Sequence, residues 1–518
     1  MPSFILSEPR RQFRMFPWAL LCLPVAASFL AGLFRIVYAA LKLSAPLFNL
    51  LVELKEEVLL VSIVLIVAFR LLAKSRRVYL VDFACFRGRK ESTASFEYAR
   101  ELYASSPAGT DESARSFLSK LTATCGVGPY TYLSDGIKKR DFSMESARGE
   151  SEEAMFGVLD DLFARCNIKP SQVGILVVNC SLFNPTPSLT AMIVRHYKMG
   201  SSTLTYNLSG MGCSAGVIAI DLASDLLKVH RNSYAVVVST ENITQNWYMG
   251  TEKSMLIPNV LFRMGASAAL LSNRSADRRR AKYQLITTVR THKGADEEAY
   301  QAVYQCEDAQ GNRGVRLSKS LMQVAGDVLR LNISVLAPRI LPVSEMIKFA
   351  VTNIRRKVLN HKIKPYTPDF TKAVQHFCIH AGGRGVIDAL EKNLNLRPYY
   401  SEPSRAALWR FGNTSSSSIW YEMLYLETHQ RMHRNNRVWQ IAFGSGFKCN
   451  SAVWKCLSTP RRSLEEWTCG FPVEEEFAKF LEDSRKVCTN NANDDIKKPA
   501  TTADAPKTDV KDASHVTQ

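Results

Sequence analysis

The segment 207–216, NLSGMGCSAG, contains the strongest candidate for covalent chemistry, Cys213. A β-like run, 203–208, leads into it, and the apolar spacing over 214–228 predicts a helix that leaves it. The glycines of the segment permit a tight turn between the two elements. A free cysteine is more often a buried structural residue, but a helix N-terminus favours the reactive thiolate. Cys213 is therefore predicted to be a nucleophile.

A histidine that could serve this cysteine lies in the segment 374–385, where an apolar run ends at His380 and a glycine turn follows. Cysteine nucleophiles that form acyl-enzymes usually work with a nearby histidine. The strand, turn and helix pattern repeats the one around Cys213, so two such units meeting at their turns would bring both side chains together. His376 faces the same side of the predicted strand. No third ligand accompanies the two histidines, so a structural role for His376 is favoured over a metal site.

Two further turns are candidates for the same site. Residues 411–418 form a small, polar, glycine-led turn before a predicted helix over 419–427. The residues alone leave open whether this turn is functional or only an N-cap and loop. The turn 444–447, which contains Gly446, could supply a backbone N–H to an oxyanion, although glycine loops are common.

The elements around these turns predict an α/β protein. Residues 173–179 and 234–240 are near-continuous apolar runs, typical of strands buried on both faces. Residues 150–166 carry acidic residues in their first turn and apolar residues at helical spacing. Strands and helices therefore alternate along the chain, as in α/β folds.

The N-terminal region contains two apolar segments. Residues 16–34 are uncharged and approach the length of about 20 residues that crosses a bilayer. Residues 58–69 are shorter and are followed by Arg70, so a buried strand or an interfacial segment is the alternative. Basic residues precede the first segment and follow the second. The positive-inside rule therefore predicts a transmembrane hairpin with the rest of the chain in the cytosol.

The composition narrows the choice of partners. The 518 residues carry a net charge of 66 − 48 = +18, which suits anionic partners such as acidic lipid headgroups or coenzyme A. No zinc-finger spacing or RNP-like motif is present, so nucleic acid is the weakest candidate among these anionic partners and is not expected. The twelve cysteines form no C-x-x-C pair, which is typical of free thiols in a reducing compartment. Residues 489–518 have almost no large apolar side chains and predict a disordered tail.

Several separated motifs resemble those of the plant 3-ketoacyl-CoA synthases, the condensing enzymes of fatty-acid elongation. They are 78–85 (VYLVDFAC), 207–216, 290–296 (RTHKGAD), 380–383 (HAGG), 411–417 (FGNTSSS), 436–443 (NRVWQIAF) and 444–450 (GSGFKCN). The resemblance covers about residues 78–475. It implies a thiolase-like fold of two similar α/β halves, preceded by the transmembrane hairpin. The expected boundaries are an anchor over 1–77, halves over 78–285 and 286–475, and a tail over 476–518.

The resemblance also implies the site. Cys213 is the nucleophile, and His380 and Asn413 complete the triad. His292 and His376 fall in shared motifs and, with Gly446, are possible supporting residues. No metal and no cofactor is expected. The implied reaction joins a long-chain or very-long-chain acyl-CoA to malonyl-CoA and gives 3-ketoacyl-CoA, CO2 and CoA.

The expected setting follows from the same resemblance. The chain is expected to be a multi-pass protein of the endoplasmic reticulum membrane with a cytosolic catalytic domain. Its expected partners are membrane lipid, a second copy of itself, and the other enzymes of the elongase complex, namely the ketoacyl-CoA reductase, the dehydratase and the enoyl-CoA reductase.

Three alternatives remain at this point. A type III polyketide synthase shares the Cys–His–Asn chemistry but is normally soluble, so the hairpin argues against it. A degradative thiolase needs a second cysteine in a C-terminal C-x-G turn, where this chain has 444–446, GSG. A non-catalytic scaffold of the elongase complex would not need an intact triad.

Overall fold

The computed structural model describes residues 77–104, 106–358 and 366–482, together with the single positions 32 and 64. The predicted transmembrane segments lie outside these residues, apart from those two positions, and so does the predicted tail 489–518. Within the part of the chain that is described, no helix combines the length and the apolar character needed to cross a bilayer. The chain divides into two compact units, Met1–Cys469 and Gly470–Gln518. In the second unit the described residues, 470–482, are mostly helical.

The first unit contains the β-strands. They are β1 Tyr79–Cys85, β2 Thr93–Ala94, β3 Thr131–Tyr132, β4 Val173–Asn179, β5 Leu204–Leu208, β6 Tyr234–Glu241, β7 Gly265–Ser272, β8 Tyr283–His292, β9 Val303–Glu307, β10 Arg313–Leu317, β11 His376–Ile379, β12 Arg437–Gly444 and β13 Lys448–Cys456.

Helices connect and cover these strands. They are α1 Phe96–Ala104, α2 Pro107–Thr110, α3 Glu112–Thr124, α4 Asp135–Lys139, α5 Met144–Cys166, α6 Leu189–Tyr197, α7 Ala215–Val229, α8 Lys253–Leu261, α9 Glu297–Tyr300, α10 Leu321–Ile340, α11 Val343–Val358, α12 Arg384–Asn393, α13 Pro398–Phe411, α14 Ser418–Thr428 and α15 Glu465–Thr468.

Within the described ranges, nine strands form one mixed sheet in the order β11-β12-β13-β8-β1-β7-β6-β4-β5. The pairing pattern is the same on both sides of the contact between β1 and β8. On one side β1 and β7 are antiparallel, β7 and β6 are antiparallel, and β6 and β4 are parallel. On the other side β8 and β13 are antiparallel, β13 and β12 are antiparallel, and β12 and β11 are parallel. The α/β class is confirmed, and two similar halves share one sheet.

The predicted elements are present with shifted ends. All residues of β6 are buried, as its apolar sequence predicts, and α7 packs against β4 and β6. The helix predicted over 150–166 begins earlier, at Met144, because the Ser143 hydroxyl caps it by accepting the N–H of Ser146 at 3.2 Å. It ends where Asn167 adopts a left-handed conformation. Outside the main sheet, β9 and β10 form a separate antiparallel hairpin.

Candidate active site

Cys213 lies where sequence analysis predicted, in a turn between a strand and a helix. The strand β5 is followed by a 3-10 turn, Gly212–Ser214, and then by α7. Gly212 has φ +66°, and a Cβ atom at this position would lie 2.3 Å from the backbone nitrogen of Ser445. Only glycine therefore allows the cysteine turn to contact the turn 444–447 of the other half.

A second close approach joins α7 to the serine-rich turn before α14. A Cβ atom at Gly216 would lie 2.5 Å from the backbone carbonyl oxygen of Ser416. The first turn of α7 can pack against this backbone because position 216 has no side chain. Turns from three separate parts of the sequence thus meet around Cys213.

His380 follows β11 and is held from two sides. Its backbone N–H donates to the carbonyl of Ile441 at 2.9 Å, and its Nδ1 is hydrogen bonded to the Ser418 hydroxyl at 2.7 Å. The residue is 4% exposed, and burial lowers the pKa of the imidazole to about 4. His380 is therefore neutral near pH 7. The Ser418 hydroxyl can donate or accept, so it is compatible with either imidazole tautomer.

Asn413 is fixed by its amide group. Its Oδ1 accepts the backbone N–H of Ser415 at 2.8 Å, and its Nδ2 donates to the carbonyl of Gly382 at 3.3 Å. Gly382 lies in the turn after His380, so this contact ties the asparagine to the histidine turn. The second N–H of the carboxamide is left for another acceptor.

Cys213, His380 and Asn413 line one cavity of about 490 Å³. This volume is typical of small-molecule sites. Gly446 also lines it. The side of the cavity formed by the β9–β10 hairpin and the start of α10 is mostly apolar, and its side chains are Val303, Val315, Leu317, Leu321, Met322 and Ala325.

The other two histidines considered from the sequence do not line this cavity. His292 is exposed at the end of β8, where it pairs with Lys448. His376 is buried, its Nε2 lies 3.3 Å from Oδ1 of Asn436, and burial lowers its pKa to about 4. The position of His376 favours a structural role. Among the described residues, no group of histidine, cysteine and acidic side chains is arranged to hold a metal ion.

The protonation state of Cys213 differs from the predicted thiolate. The pKa of the thiol is raised to about 12: loss of solvation is the largest cause, a hydrogen bond with Ser415 lowers the pKa, and the nearby Glu241 carboxylate raises it. Loss of solvation thus acts against the effect expected from the helix terminus. The resting nucleophile is a thiol that must lose its proton during the reaction.

Sequence analysis missed Glu241, which also lines the cavity. This residue ends β6 and is 5% exposed. Its carboxylate accepts the backbone N–H groups of Ser181 at 3.0 Å and Leu182 at 2.9 Å, and the hydroxyl of Ser415 at 3.0 Å. Burial raises its pKa. The sequence did contain a sign of this role, because Glu241 ends a strand rich in β-branched residues that is predicted to be buried. A charge that is buried requires dedicated hydrogen-bond partners.

Ser415 connects Glu241 to the nucleophile. Its hydroxyl contacts both the Glu241 carboxylate and the Cys213 sulfur. Its backbone has φ +56°, which is unusual for a residue other than glycine, and the Asn413 side chain holds it there through the Ser415 N–H. The strained serine, the asparagine and the glutamate therefore form one hydrogen-bonded support behind the sulfur.

Comparison with known proteins places this fold and site. Residues 70–358 match the family described as FAE1/Type III polyketide synthase-like protein, and residues 371–456 match the C-terminal part of 3-oxoacyl-[acyl-carrier-protein] synthase III. The crystal structure of 1,3,6,8-tetrahydroxynaphthalene synthase, a type III polyketide synthase from Streptomyces coelicolor, aligns with a TM-score of 0.57 at 17% identity. The alignment covers 73% of this chain and 99% of that one. The protein thus has the thiolase-like α/β fold of the type III polyketide synthases.

Relatives of known name identify the family within this fold. The chain is 59% identical to 3-ketoacyl-CoA synthase 4 of Arabidopsis thaliana over 389 residues, which cover 74% of this chain and 75% of the relative. It is 54% identical to 3-ketoacyl-CoA synthase 9 of the same plant over 414 residues, which cover 79% and 80%. The chain belongs to the 3-ketoacyl-CoA synthase family.

Proposed function

We propose that this protein condenses a long-chain or very-long-chain acyl-CoA with malonyl-CoA to give 3-ketoacyl-CoA, CO2 and CoA, the first step of an elongation cycle. The observation that carries the proposal is the shared cavity of Cys213, His380 and Asn413 in a chain of the 3-ketoacyl-CoA synthase family. Nucleophile, imidazole and carboxamide are the groups that acyl transfer followed by carbanion formation requires.

In the first half-reaction the Cys213 sulfur attacks the thioester carbon of the acyl-CoA. A new carbon–sulfur bond forms and the bond to the CoA sulfur breaks. The thiol proton must move from Cys213 to the departing CoA. The neutral imidazole of His380 lines the same cavity and is suited to accept this proton and pass it on. Because its surroundings raise the pKa of the Cys213 thiol, attack requires His380 to remove the thiol proton.

In the second half-reaction malonyl-CoA loses its carboxylate as CO2. The electron pair of the broken carbon–carbon bond becomes an enolate, whose oxygen accepts N–H groups from Asn413 and from His380 in its Nε2–H tautomer, which the Ser418 hydroxyl allows by donating to Nδ1. A donor of this kind is worth about 10²–10³ in rate. The enolate carbon attacks the acyl group on Cys213, and the new carbon–carbon bond forms as the cysteine sulfur leaves as a thiolate, which takes up a proton from water to restore the resting thiol. Decarboxylation supplies the driving force without a metal or an organic cofactor.

The apolar wall formed by the β9–β10 hairpin and the start of α10 is proposed to hold the acyl chain. Its aliphatic side chains offer the water-free surface that a hydrocarbon chain prefers. Polar groups are grouped at the other side, around Cys213, where the thioester reacts.

The proposed setting is the endoplasmic reticulum membrane, with segments 16–34 and 58–69 as a hairpin and the catalytic part in the cytosol. The basic flanks of the two segments support this orientation. We also propose a homodimer that works beside the reductase, dehydratase and enoyl reductase of the elongase complex. A tag placed after residue 77 should be digested by protease added to sealed microsomes. Protection of the tag would place the catalytic part in the lumen and contradict this topology.

The decisive experiment measures condensation in microsomes with labelled malonyl-CoA and a panel of acyl-CoA primers. Cys213→Ala should abolish product, whereas Cys306→Ala, which removes a partly exposed cysteine outside the cavity lining, should retain it. Full activity of the Cys213→Ala variant would overturn the assignment. Products extended by one two-carbon unit are expected, and repeated extension with cyclisation would indicate polyketide synthesis.

The two half-reactions can be separated with variants of His380 and Asn413. His380→Gln should acquire label from an acyl-CoA more slowly, because Cys213 loses its proton acceptor, and should lose condensation by at least about 10²-fold. His376→Gln is the matched control because His376 is also buried with a lowered pKa, yet lies outside the cavity lining. Asn413→Ala should still acquire label but lose condensation to a similar extent, because Asn413 is proposed to act only on the enolate. A variant that is normal in both steps would remove its residue from the triad.

A further inference from the structure

The helix α11, Val343–Val358, exposes a continuous apolar face. Its five most exposed apolar side chains are separated by four, four, three and four residues, which repeats the period of an α-helix. Their exposed fractions are Val343 74%, Ile347 56%, Val351 41%, Ile354 61% and Val358 74%. All five are β-branched aliphatic residues that a soluble surface would not place together.

The opposite side of α11 is attached to the protein. Glu345 is fully buried, and its carboxylate forms ion pairs with Lys372 at 2.6 Å and Lys348 at 3.3 Å. It also accepts the hydroxyl of Tyr366 and the backbone N–H of Asp369. The first turn of the helix is therefore held by these contacts, while the five aliphatic side chains stay exposed.

The exposed charges of α11 are all positive. Lys348, Arg355 and Lys357 are exposed, and the last turn contains Arg355, Arg356 and Lys357. The helix has one acidic residue, Glu345, and it is buried. In helical projection, Lys348 and Arg355 lie beside one edge of the apolar face and Lys357 lies beside the other. Long basic side chains in these positions can place their charges above an apolar surface that is buried in lipid.

We propose that α11 lies in the surface of a membrane that contains anionic phospholipids, with its aliphatic face among the acyl chains and its basic residues at the phosphates. An exposed aliphatic stripe flanked by basic residues is the pattern of interfacial helices. Charge selects this partner over a second copy of the helix, because two such faces would bring like charges together. The contact is additional to the predicted N-terminal spans. The helix α11 directly follows α10, whose first residues line the cavity. The proposed membrane contact is therefore on the helix that comes next in the sequence after the apolar cavity wall.

The test uses the full chain in vesicles and a photoreactive p-benzoylphenylalanine at position 343 or 354 of the apolar face. Position 229 is the matched control, because Val229 is a valine with 73% exposure that is flanked by Lys228 and His230 rather than by an apolar face. Each sample is first shown to retain condensation activity, which establishes that it is folded. Adducts with a clickable phospholipid are then quantified after illumination.

In vesicles of phosphatidylcholine and phosphatidylserine, positions 343 and 354 should give several-fold more lipid adduct than position 229. Replacing both Arg355 and Lys357 with glutamine should reduce the yield at 354 by about five-fold or more, since one basic residue near an anionic surface contributes about 1 kcal/mol. Vesicles of phosphatidylcholine alone should give the same reduction. Lipid adduct at 354 no greater than at 229 would overturn the proposal, and so would cross-linking of 354 to a second protein chain instead of lipid.

Discussion

Replacing Glu241 with glutamine should make the Cys213 thiol more acidic. The Ser415 hydroxyl lies 3.0 Å from Glu241 Oε2 and is also hydrogen bonded to the Cys213 sulfur, so the Glu241 carboxylate and a cysteine thiolate compete for its single proton. In the Glu241→Gln variant the amide N–H₂ can donate to Ser415, which releases the hydroxyl proton for the sulfur. The amide oxygen can still accept the N–H groups of Ser181 and Leu182, so the local backbone should be preserved.

The size of the effect follows from the hydrogen-bonded chain between the two groups. Two hydrogen bonds in series separate the carboxylate from the sulfur by about 6 Å. At an effective dielectric constant of about 20, two unit negative charges at about 6 Å repel by about 3 kcal/mol, and solvent in the open cavity reduces this repulsion. We therefore expect the pH midpoint of thiol reactivity to fall by about one to two pH units. Burial, the main cause of the raised pKa of Cys213, remains in the variant.

The assay is the rate of iodoacetamide alkylation of Cys213 as a function of pH, followed by mass spectrometry of the peptide that contains it. Glu150→Gln is the matched control, because Glu150 is also buried and burial raises its pKa to about 7, but it does not line the cavity. A midpoint in the Glu241→Gln variant that is unchanged or higher would refute the link from Glu241 through Ser415 to the sulfur. Thermal unfolding of both variants shows whether either change acts through the fold.

Three further predictions concern packing, stability and specificity. Gly216→Ala should reduce condensation by at least about 10²-fold, since its Cβ would lie 2.5 Å from the Ser416 oxygen and would displace the site; unchanged kinetics would show that the turn can move. Burial lowers the pKa of His376 to about 4, so unfolded chains bind more protons than folded ones as the pH falls from about 6.5 towards 4, and stability is lost in that range. Between pH 7.5 and pH 5, the free energy of unfolding measured with denaturant should fall by about 1–2 kcal/mol less in His376→Phe than in the unchanged protein. The same pH dependence in both proteins would contradict this. Leu321→Trp should fill part of the apolar wall and shorten the longest acyl-CoA accepted, while Leu331→Trp on the exposed side of the same helix should leave the product profile unchanged; equal profiles for both would remove this wall from the acyl site.

Much of the fold could be predicted because its local signals agree. The strand over Val173–Asn179 is a continuous apolar run, which is typical of a strand buried on both faces. The helix over Ala215–Val229 has apolar residues at helical spacing. The order of strands in the sheet and the shared pattern of its halves could not be obtained from periodicity. They depend on which distant strands pair, and local sequence carries little information about this choice.

The candidate site was predicted in part for the same reason. Turns with glycine next to Cys213 and His380 are visible in the sequence, and the structure places both residues on one cavity. Glu241 and the strained Ser415 were missed because their roles come from contacts between distant segments. The loss of solvation that raises the pKa of Cys213 was missed because a helix terminus is visible in the sequence, whereas the solvation of a sulfur is not.

The close contact between Gly212 and the turn at Ser445 has a consequence for how substrates move. This contact connects the two halves at the point of chemistry, and the main sheet connects them again through β1 and β8. Opening the halves like a clamshell would break both connections and dismantle the nucleophile turn. A hydrocarbon tail must therefore reach the cavity without separation of the halves, which leaves the side lined by the β9–β10 hairpin and the start of α10 as the route of entry.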